Sequence, residues 1–141
     1  MTASKERKIA LILFLIYMAV VLRLTVFRSG FLNERLFNLT LFIDLIDVYR
    51  NAGVRLFLWL FIGNIIWFVP FGFLMPILLK KESFLKIAGL GFMFSFAIES
   101  VQFIFRLGVA ELDDLILNTF GAVIGYLIYR LIAKKYFLTK K

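Results

Sequence analysis

The hydrophobic residues of this chain fall into four long runs that are separated by shorter, more polar segments. A helix needs about 20 mostly apolar residues to cross the hydrocarbon core of a bilayer, and each run is about that long. The pattern therefore predicts an all-α, polytopic membrane protein with four transmembrane helices. These helices are predicted at residues 9–27, 56–79, 84–105 and 115–133. We interpret the first run as a retained span, because "VVLRLTVFRSG" lacks the small-residue pattern of a signal-peptide cleavage site.

The segment between the first two runs, residues 28–55, has its own helical periodicity. One set of positions, three or four residues apart, is apolar, and a second set is polar. The apolar set is Leu32, Leu36, Leu39, Ile43 and Ile46, and the polar set is Thr40, Asp44, Asp47 and Asn51. This pattern predicts an amphipathic helix, and two placements stay open. The helix either lies flat at the membrane interface or packs as a short helix over the bundle.

Basic residues predict how the spans are oriented. Most of the 17 Lys and Arg residues lie in or next to three segments: the N-terminus, the loop between the second and third spans, and the C-terminal tail. They are Lys5, Arg7, Lys8, Lys80, Lys81, Lys86, Arg130, Lys134, Lys135, Lys140 and Lys141. Since cytoplasmic loops carry the excess of Lys and Arg, both termini are predicted to be cytoplasmic and residues 28–55 external. The expected location is a cell (plasma) membrane, which the chain crosses several times.

Composition limits the chemistry that is available. Of the 141 residues, 62% are hydrophobic, and the mean hydropathy is +0.94, so a net charge of +8 indicates a membrane protein rather than a nucleic-acid-binding one. The length fits a single domain, residues 1–141. Cysteine and histidine are absent, which excludes disulfides, thiolate nucleophiles and the commonest general base. Any reaction would have to use carboxylates, Lys, Arg, Tyr, Ser or Thr.

Polar residues concentrate at one predicted depth, near the external ends of the last three spans. On the third span, Glu99, Gln102 and Arg106 share one helical face. A loop of about nine residues makes the third and fourth spans antiparallel neighbours, so their polar ends must meet. The whole predicted set is Asn64, Glu99, Gln102, Arg106, Asp113, Asp114 and Asn118. On the fourth span, Asp114 and Asn118 continue into Gly121 and Gly125, a stripe that allows a neighbouring helix to approach closely.

A carboxylate in hydrocarbon is costly, so Glu99 is expected to face the bundle interior, with Arg106 as its partner. Two readings of the set stay open. The polar groups could be a structural network that fixes the packing of the helices. Alternatively, Arg106 could bind a phosphate or carboxylate, with Glu99 and Asp114 orienting it.

Two segments, "GNIIWFVPFGFLMP" and "SFAIESVQFIFRLGVAELDDLILNTFGAVIGY", closely resemble the VanZ-like family of small bacterial membrane proteins. The resemblance covers roughly residues 38–129. Its motif positions are Asn64, Pro70, Phe71, Gly72, Glu99, Gln102, Arg106, Asp113 or Asp114, Asn118, Gly121 and Gly125. One departure is "NLTLF", where family members often carry an NLIPF-like segment, and loss of the proline predicts a more helical start of the external loop.

The resemblance implies a link with resistance to glycopeptide antibiotics of the teicoplanin type, without a settled reaction. The leading hypothesis is a protein that binds or remodels an anionic lipid or a lipid-linked cell-wall precursor in an outward-facing polar cavity. Its expected partners are membrane lipids, with the precursor or the glycopeptide itself as further candidates. One alternative is an intramembrane hydrolase or transferase, with Glu99 and Asp114 as candidate catalytic residues and Asp113 and Asp114 holding a divalent cation. The other is a small transporter or flippase, which would require an oligomer.

Overall fold

The computed structural model describes residues 3–25, 31–80 and 83–139, which form five helices and two short strands. In chain order they are α1 (Ala3–Thr25), β1 (Leu36–Asn38), α2 (Ile43–Ala52), α3 (Val54–Leu79), α4 (Phe84–Phe105), β2 (Val109–Glu111) and α5 (Leu112–Thr139). The chain is mostly helical, as predicted. The strands are an addition that the hydrophobic pattern did not indicate.

Three of the described helices are long and apolar enough to cross a membrane, Val54–Leu79, Phe84–Phe105 and Leu112–Ala133. They agree closely with the last three predicted spans. A 23-residue α1 occupies the first predicted span and ends at Thr25, while the predicted continuation to residue 27 lies outside the described residues. The protein is therefore a membrane protein, and a fourth crossing by α1 stays a prediction.

Helices α3 and α5 form the tightest pair of the bundle, because glycines allow their backbones to approach. A Cβ atom at Gly121 would collide with the carbonyl of Ile65, and one at Gly125 with the carbonyl of Val69. From the other side, a Cβ at Gly72 would collide with the backbone of Ala122. The small-residue stripe therefore serves helix packing, and its partner is α3.

The core of the bundle is apolar and aromatic. Its buried residues come from four helices and the α4–α5 loop: Val21, Phe68, Phe71, Ile98, Leu107 and Ala122. The Phe71 and Phe94 rings stack with centroids 5.2 Å apart. Helix α1 docks onto α3, where the Tyr17 hydroxyl donates to the Trp67 carbonyl at 2.9 Å. This contact lies three residues before Pro70, one of two prolines inside α3.

The segment between α1 and α3 differs from the amphipathic helix predicted over residues 32–51. Its helix is α2, which starts only at Ile43, whereas Leu36–Asn38 form β1 and pair in parallel with β2. The register joins Leu36 to Val109, Phe37 to Ala110 and Asn38 to Glu111. The expectation of a more helical start at "NLTLF" was therefore wrong. Pairing with a strand from the α4–α5 loop, more than 70 residues away, overrides the local helical periodicity there.

Candidate functional site

The functional candidates lie at the end of the bundle where α4 is connected to α5, which we call the loop end. Residues 31–42, which we call the strap, cover this end. The Leu32 amide donates to the Arg106 carbonyl at 2.7 Å, and β1 pairs with β2 immediately after it. The strap is thus attached along much of its length to the connection between α4 and α5.

Two contacts fix the register of α4 against α5. The Asn118 side-chain amide donates to the buried Ser95 hydroxyl at 2.9 Å. One turn further from the loop end, a Cβ at Gly91 would meet the Ala122 Cβ at 2.6 Å. Because the helices are antiparallel, one turn in the opposite direction brings Glu99 of α4 to the level of Asp114 of α5. The two carboxylates predicted to converge therefore share one level of the bundle.

The Glu99 carboxylate is buried, with 7% of the residue exposed. It lies inside the bundle, next to the connection between α4 and α5. Its Oε2 accepts a hydrogen bond from the Glu111 amide at 2.9 Å, which ties β2 to α4. Glu111 is half-buried, and an amide there without an acceptor would cost up to about 1–3 kcal/mol, so this contact stabilises the connection that carries β2.

Gln102 also lies beneath the loop. It is buried, and a Cβ added at Gly108 would lie 3.0 Å from its Nε2 atom. Its backbone carbonyl accepts from the Leu107 amide at 2.9 Å as α4 ends. Gln102 therefore packs against the α4–α5 connection, consistent with the face it was predicted to share with Glu99.

Asn64 connects α3 to the polar residues of α4 and α5 at the loop end. Its side-chain amide donates to Oδ1 of Asp114, so the two helices that pack most tightly are also connected by a polar contact. Acidic residues in the first turn of a helix interact favourably with the helix dipole, and Asp113 and Asp114 occupy that turn of α5. The structure therefore brings Asn64, Asp114, Glu99 and Asn118 into one region, as the sequence pattern predicted.

Asp113 is directed away from Asp114 and toward the strap. It is 3% exposed, and its two carboxylate oxygens accept from the Phe42 amide at 2.9 and 3.0 Å. Phe42 precedes α2 and has a left-handed backbone with φ 55° and no side-chain cap of its own. A carboxylate from α5 thus anchors the start of α2, a role that the sequence pattern did not reveal.

Arg106 occupies a different position from the one predicted. It ends α4 in a left-handed conformation with φ 59°, so its side chain leaves the helical face that the three-and-four spacing assumed. The side chain is exposed, and among the described residues its guanidinium contacts the Asn33 carbonyl, at 3.1 Å, instead of the Glu99 carboxylate. The predicted Glu99–Arg106 ion pair is therefore replaced by a contact between Arg106 and the strap.

Sequence reasoning missed Ser95, Asn38 and the strap. Ser95 is fully buried and lies one turn before Glu99 on the same face, a spacing that could have revealed it. Asn38 organises the turn before α2: its Oδ1 accepts from the Thr40 amide at 2.9 Å, and its amide donates to Asp44 at 2.6 Å. No group of three or more His, Cys, Asp or Glu suited to a metal ion occurs within residues 3–25, 31–80 and 83–139.

Ser95→Ala is expected to destabilise the bundle by about 1 kcal/mol, the usual size of a hydrogen bond between membrane helices. The change removes the acceptor of the buried Asn118 amide. The midpoint of unfolding in detergent micelles measures the effect. The matched control is Ser100→Ala on the same helix, because the exposed Ser100 hydroxyl donates only within α4, to the Phe96 carbonyl at 2.7 Å. Equal losses in both variants would contradict an interhelical role for Ser95.

Comparisons with known proteins identify the family of this chain. The protein named "Protein VanZ" from Enterococcus faecium is 37% identical over 70 residues, which cover 50% of this chain and 44% of that protein. The matched part thus spans less than half the length of this relative. No solved structure matches the chain. A family model described as VanZ/LLP1 matches residues 14–133, which include α3, α4, the apolar part of α5 and all of the predicted site residues. The chain therefore belongs to the VanZ/LLP1 family.

Proposed function

We propose that this protein contributes to resistance against glycopeptide antibiotics of the teicoplanin type by binding an anionic lipid or lipid-linked cell-wall precursor at the loop end. Membership of the family supports the link with resistance. The exposed Arg106 at the end of a membrane helix supports the anion-binding part. Both termini are placed in the cytoplasm in this proposal, so that the loop end faces outward.

The position of Arg106 suits the headgroup region of a bilayer. Helix α4 has 22 residues and is therefore about 33 Å long, close to the hydrocarbon thickness of about 30 Å. If α4 crosses the membrane, a residue at its C-terminal end lies beside the phosphates and carboxylates of lipids. This location supports an anion-binding role better than a role inside the bundle.

The geometry of the guanidinium supports the same role. Arginine has five N–H donors in a planar fork that can bind phosphate or carboxylate through two parallel hydrogen bonds. The Asn33 carbonyl engages Nη1, which orients the fork relative to the strap. The buried Glu99 and the half-buried Asp114 hold the loop and α3 in place, and we assign them positioning roles around Arg106.

Arg106→Gln is expected to weaken binding of phosphatidylglycerol or lipid-linked precursor by about tenfold or more, because charge-assisted hydrogen bonds contribute roughly 1.5–3 kcal/mol. Binding to the full chain in nanodiscs and teicoplanin susceptibility of an expressing host measure the effect. Arg55→Gln is the matched control, since Arg55 is also exposed and predicted to be external. Normal insertion with unchanged binding and susceptibility in Arg106→Gln would overturn the proposal.

A second candidate is an intramembrane hydrolase or transferase acting on the same substrates. The observation in its favour is the shared level of Glu99 and Asp114, which places two carboxylates where general acid–base catalysis could use them. A divalent cation held jointly by Asp113 and Asp114 would require rearrangement, because they accept from Phe42 and Asn64 respectively. Product formation from a labelled precursor, abolished in Glu99→Gln, would select this candidate over simple binding.

A further inference from the structure

The segment that runs from the strap into α2 has an exposed apolar side. In the strap, Phe37, Leu39 and Leu41 alternate with Asn38 and Thr40 along the chain, and Leu39 and Leu41 are 66% and 50% exposed. Alternation of this kind gives an extended chain one apolar and one polar side. We call the exposed apolar residues of the strap and α2 the apolar rim: Phe37, Leu39, Leu41, Ile43, Ile46 and Tyr49.

Helix α2 has three faces, and only one of them packs on the bundle. Leu45 is buried, and the helix contacts α3. A second face is formed by Ile43, Ile46 and Tyr49, which are 52%, 44% and 55% exposed. The third face is polar and consists of Asp44, Asp47 and Asn51. Contact with the bundle therefore leaves α2 an apolar face that is available to a second environment.

Hydrogen bonds join the polar side of the strap to the polar face of α2. The Asn38 side-chain amide donates to the Asp44 carboxylate, and Asn38 Oδ1 accepts from both the amide and the hydroxyl of Thr40. The segment thus keeps polar and apolar residues on different sides across a change from extended chain to helix. Such a division is typical of a segment that lies between an aqueous and an apolar environment.

The apolar rim is continuous at both ends with helices that can cross a membrane. The Phe37 ring meets the Phe103 ring of α4 edge-on, with centroids 6.0 Å apart. At the other end, the Tyr49 ring meets the Phe57 ring of α3 edge-on at 5.7 Å. An exposed apolar surface that runs into two membrane spans indicates that the same lipid covers the rim and the spans.

The attachment of α2 places the rim near the membrane surface. Its start is held by Asp113 in the first turn of α5, and its end leads through Gly53 into the first turn of α3. Helix α3 has 26 residues and is about 39 Å long, so it extends beyond a hydrocarbon core of about 30 Å. Tyr49 and Trp59 are both exposed, and Tyr and Trp are enriched at membrane interfaces.

We propose that the apolar rim is a membrane-contacting surface, inserted at the boundary between the headgroups and acyl chains of the leaflet at the loop end. The polar face of α2 is directed toward water. The inference combines the two placements that the sequence left open, because α2 packs on the bundle through one face and contacts lipid through another. It is independent of anion binding by Arg106.

The test uses spin labels, for which this chain is well suited because it contains no cysteine. Leu39→Cys and Ile46→Cys each provide one attachment site for a nitroxide in the full chain, reconstituted in nanodiscs of phosphatidylcholine with phosphatidylglycerol. Oxygen concentrates in hydrocarbon and a nickel chelate stays in water, so the accessibility of the label to each gives its depth. Both labels are expected about 5–10 Å below the phosphates.

The matched controls are Asp47→Cys and Asn51→Cys, on the polar face of the same helix. Their labels are expected at the phosphates or in water, with nickel accessibility well above that at Leu39 and Ile46. Phe96→Cys marks the hydrocarbon, because Phe96 is exposed near the middle of α4. All five positions are exposed, so folding should be preserved, and circular dichroism checks the helix content.

Two results would overturn the proposal. Equal nickel accessibility at Ile46 and Asp47 would show that the rim lies in water. Dipolar broadening between labels at Leu39 or Ile46, removed by dilution with unlabelled chain, would show that a second copy of the protein covers the rim instead of lipid.

Discussion

Gly125→Ala is expected to destabilise the folded protein by about 3 kcal/mol, the upper end of the usual range for overpacking. An added Cβ would collide with the Val69 carbonyl and lie 2.8 Å from the Phe73 amide nitrogen. Both obstacles are backbone atoms of α3, which no side-chain rotation can remove. Helices α3 and α5 would have to separate, and the polar contact between Asn64 and Asp114 would be disturbed with them. The midpoint of unfolding in detergent micelles measures the change.

Gly89→Ala is the matched control for this prediction. Gly89 also lies in a membrane helix, but a Cβ there would meet nothing within 4 Å. Alanine should therefore leave stability unchanged or raise it by up to about 1 kcal/mol, the difference between the two residues within a helix. Similar unfolding midpoints for Gly125→Ala and the unchanged chain would show that α3 and α5 are not closely packed.

Asp113→Ala is expected to destabilise the loop end by about 2–3 kcal/mol, because it leaves the Phe42 amide without the carboxylate that accepts its hydrogen bond. Phe42 has φ 55°, a conformation that costs a non-glycine residue about 1 kcal/mol or more and persists only when its surroundings hold it. Loss of the carboxylate should therefore release the start of α2. Hydrogen exchange of the amides in residues 42–46 measures the opening directly.

Asp113→Asn separates the hydrogen bond from the charge. The amide side chain keeps one oxygen acceptor, so exchange at residues 42–46 should rise much less than in Asp113→Ala. Exchange at residues 72–79 of α3, toward the opposite end of the bundle from this contact, is expected to stay unchanged in both variants. Unaltered protection of residues 42–46 in Asp113→Ala would contradict an anchoring role.

The helical core could be predicted from the sequence because its causes are local. Continuous apolar runs define α3, α4 and α5, and their ends agree with the predicted spans within a few residues. The three-and-four spacing also grouped Glu99 with Gln102 and Asp114 with Asn118. The stripe ending in Gly125 indicated a close helix approach but could not identify α3 as the neighbour.

The strap could not be predicted, because its conformation depends on residues far away in the sequence. Leu36 and Leu39 fit an amphipathic helix, yet Leu36 belongs to a strand whose partner begins at Val109. The position of Arg106 could not be predicted either. Helical spacing applies only within a helix, and Arg106 lies just after the end of α4 in a left-handed conformation. In both places the conformation is set by contacts with residues far away in the sequence, and not by the local pattern of apolar and polar positions.

The strap also sets the order in which the protein can be completed during synthesis. Its contacts join residues 71 and 73 positions apart, Phe42 with Asp113 and Asn33 with Arg106. A nascent chain that has emerged only as far as α3 contains one half of each contact, and it has β1 but not β2. The loop end therefore cannot be assembled until the start of α5 has left the ribosome, and a chain arrested earlier cannot close this end of the bundle.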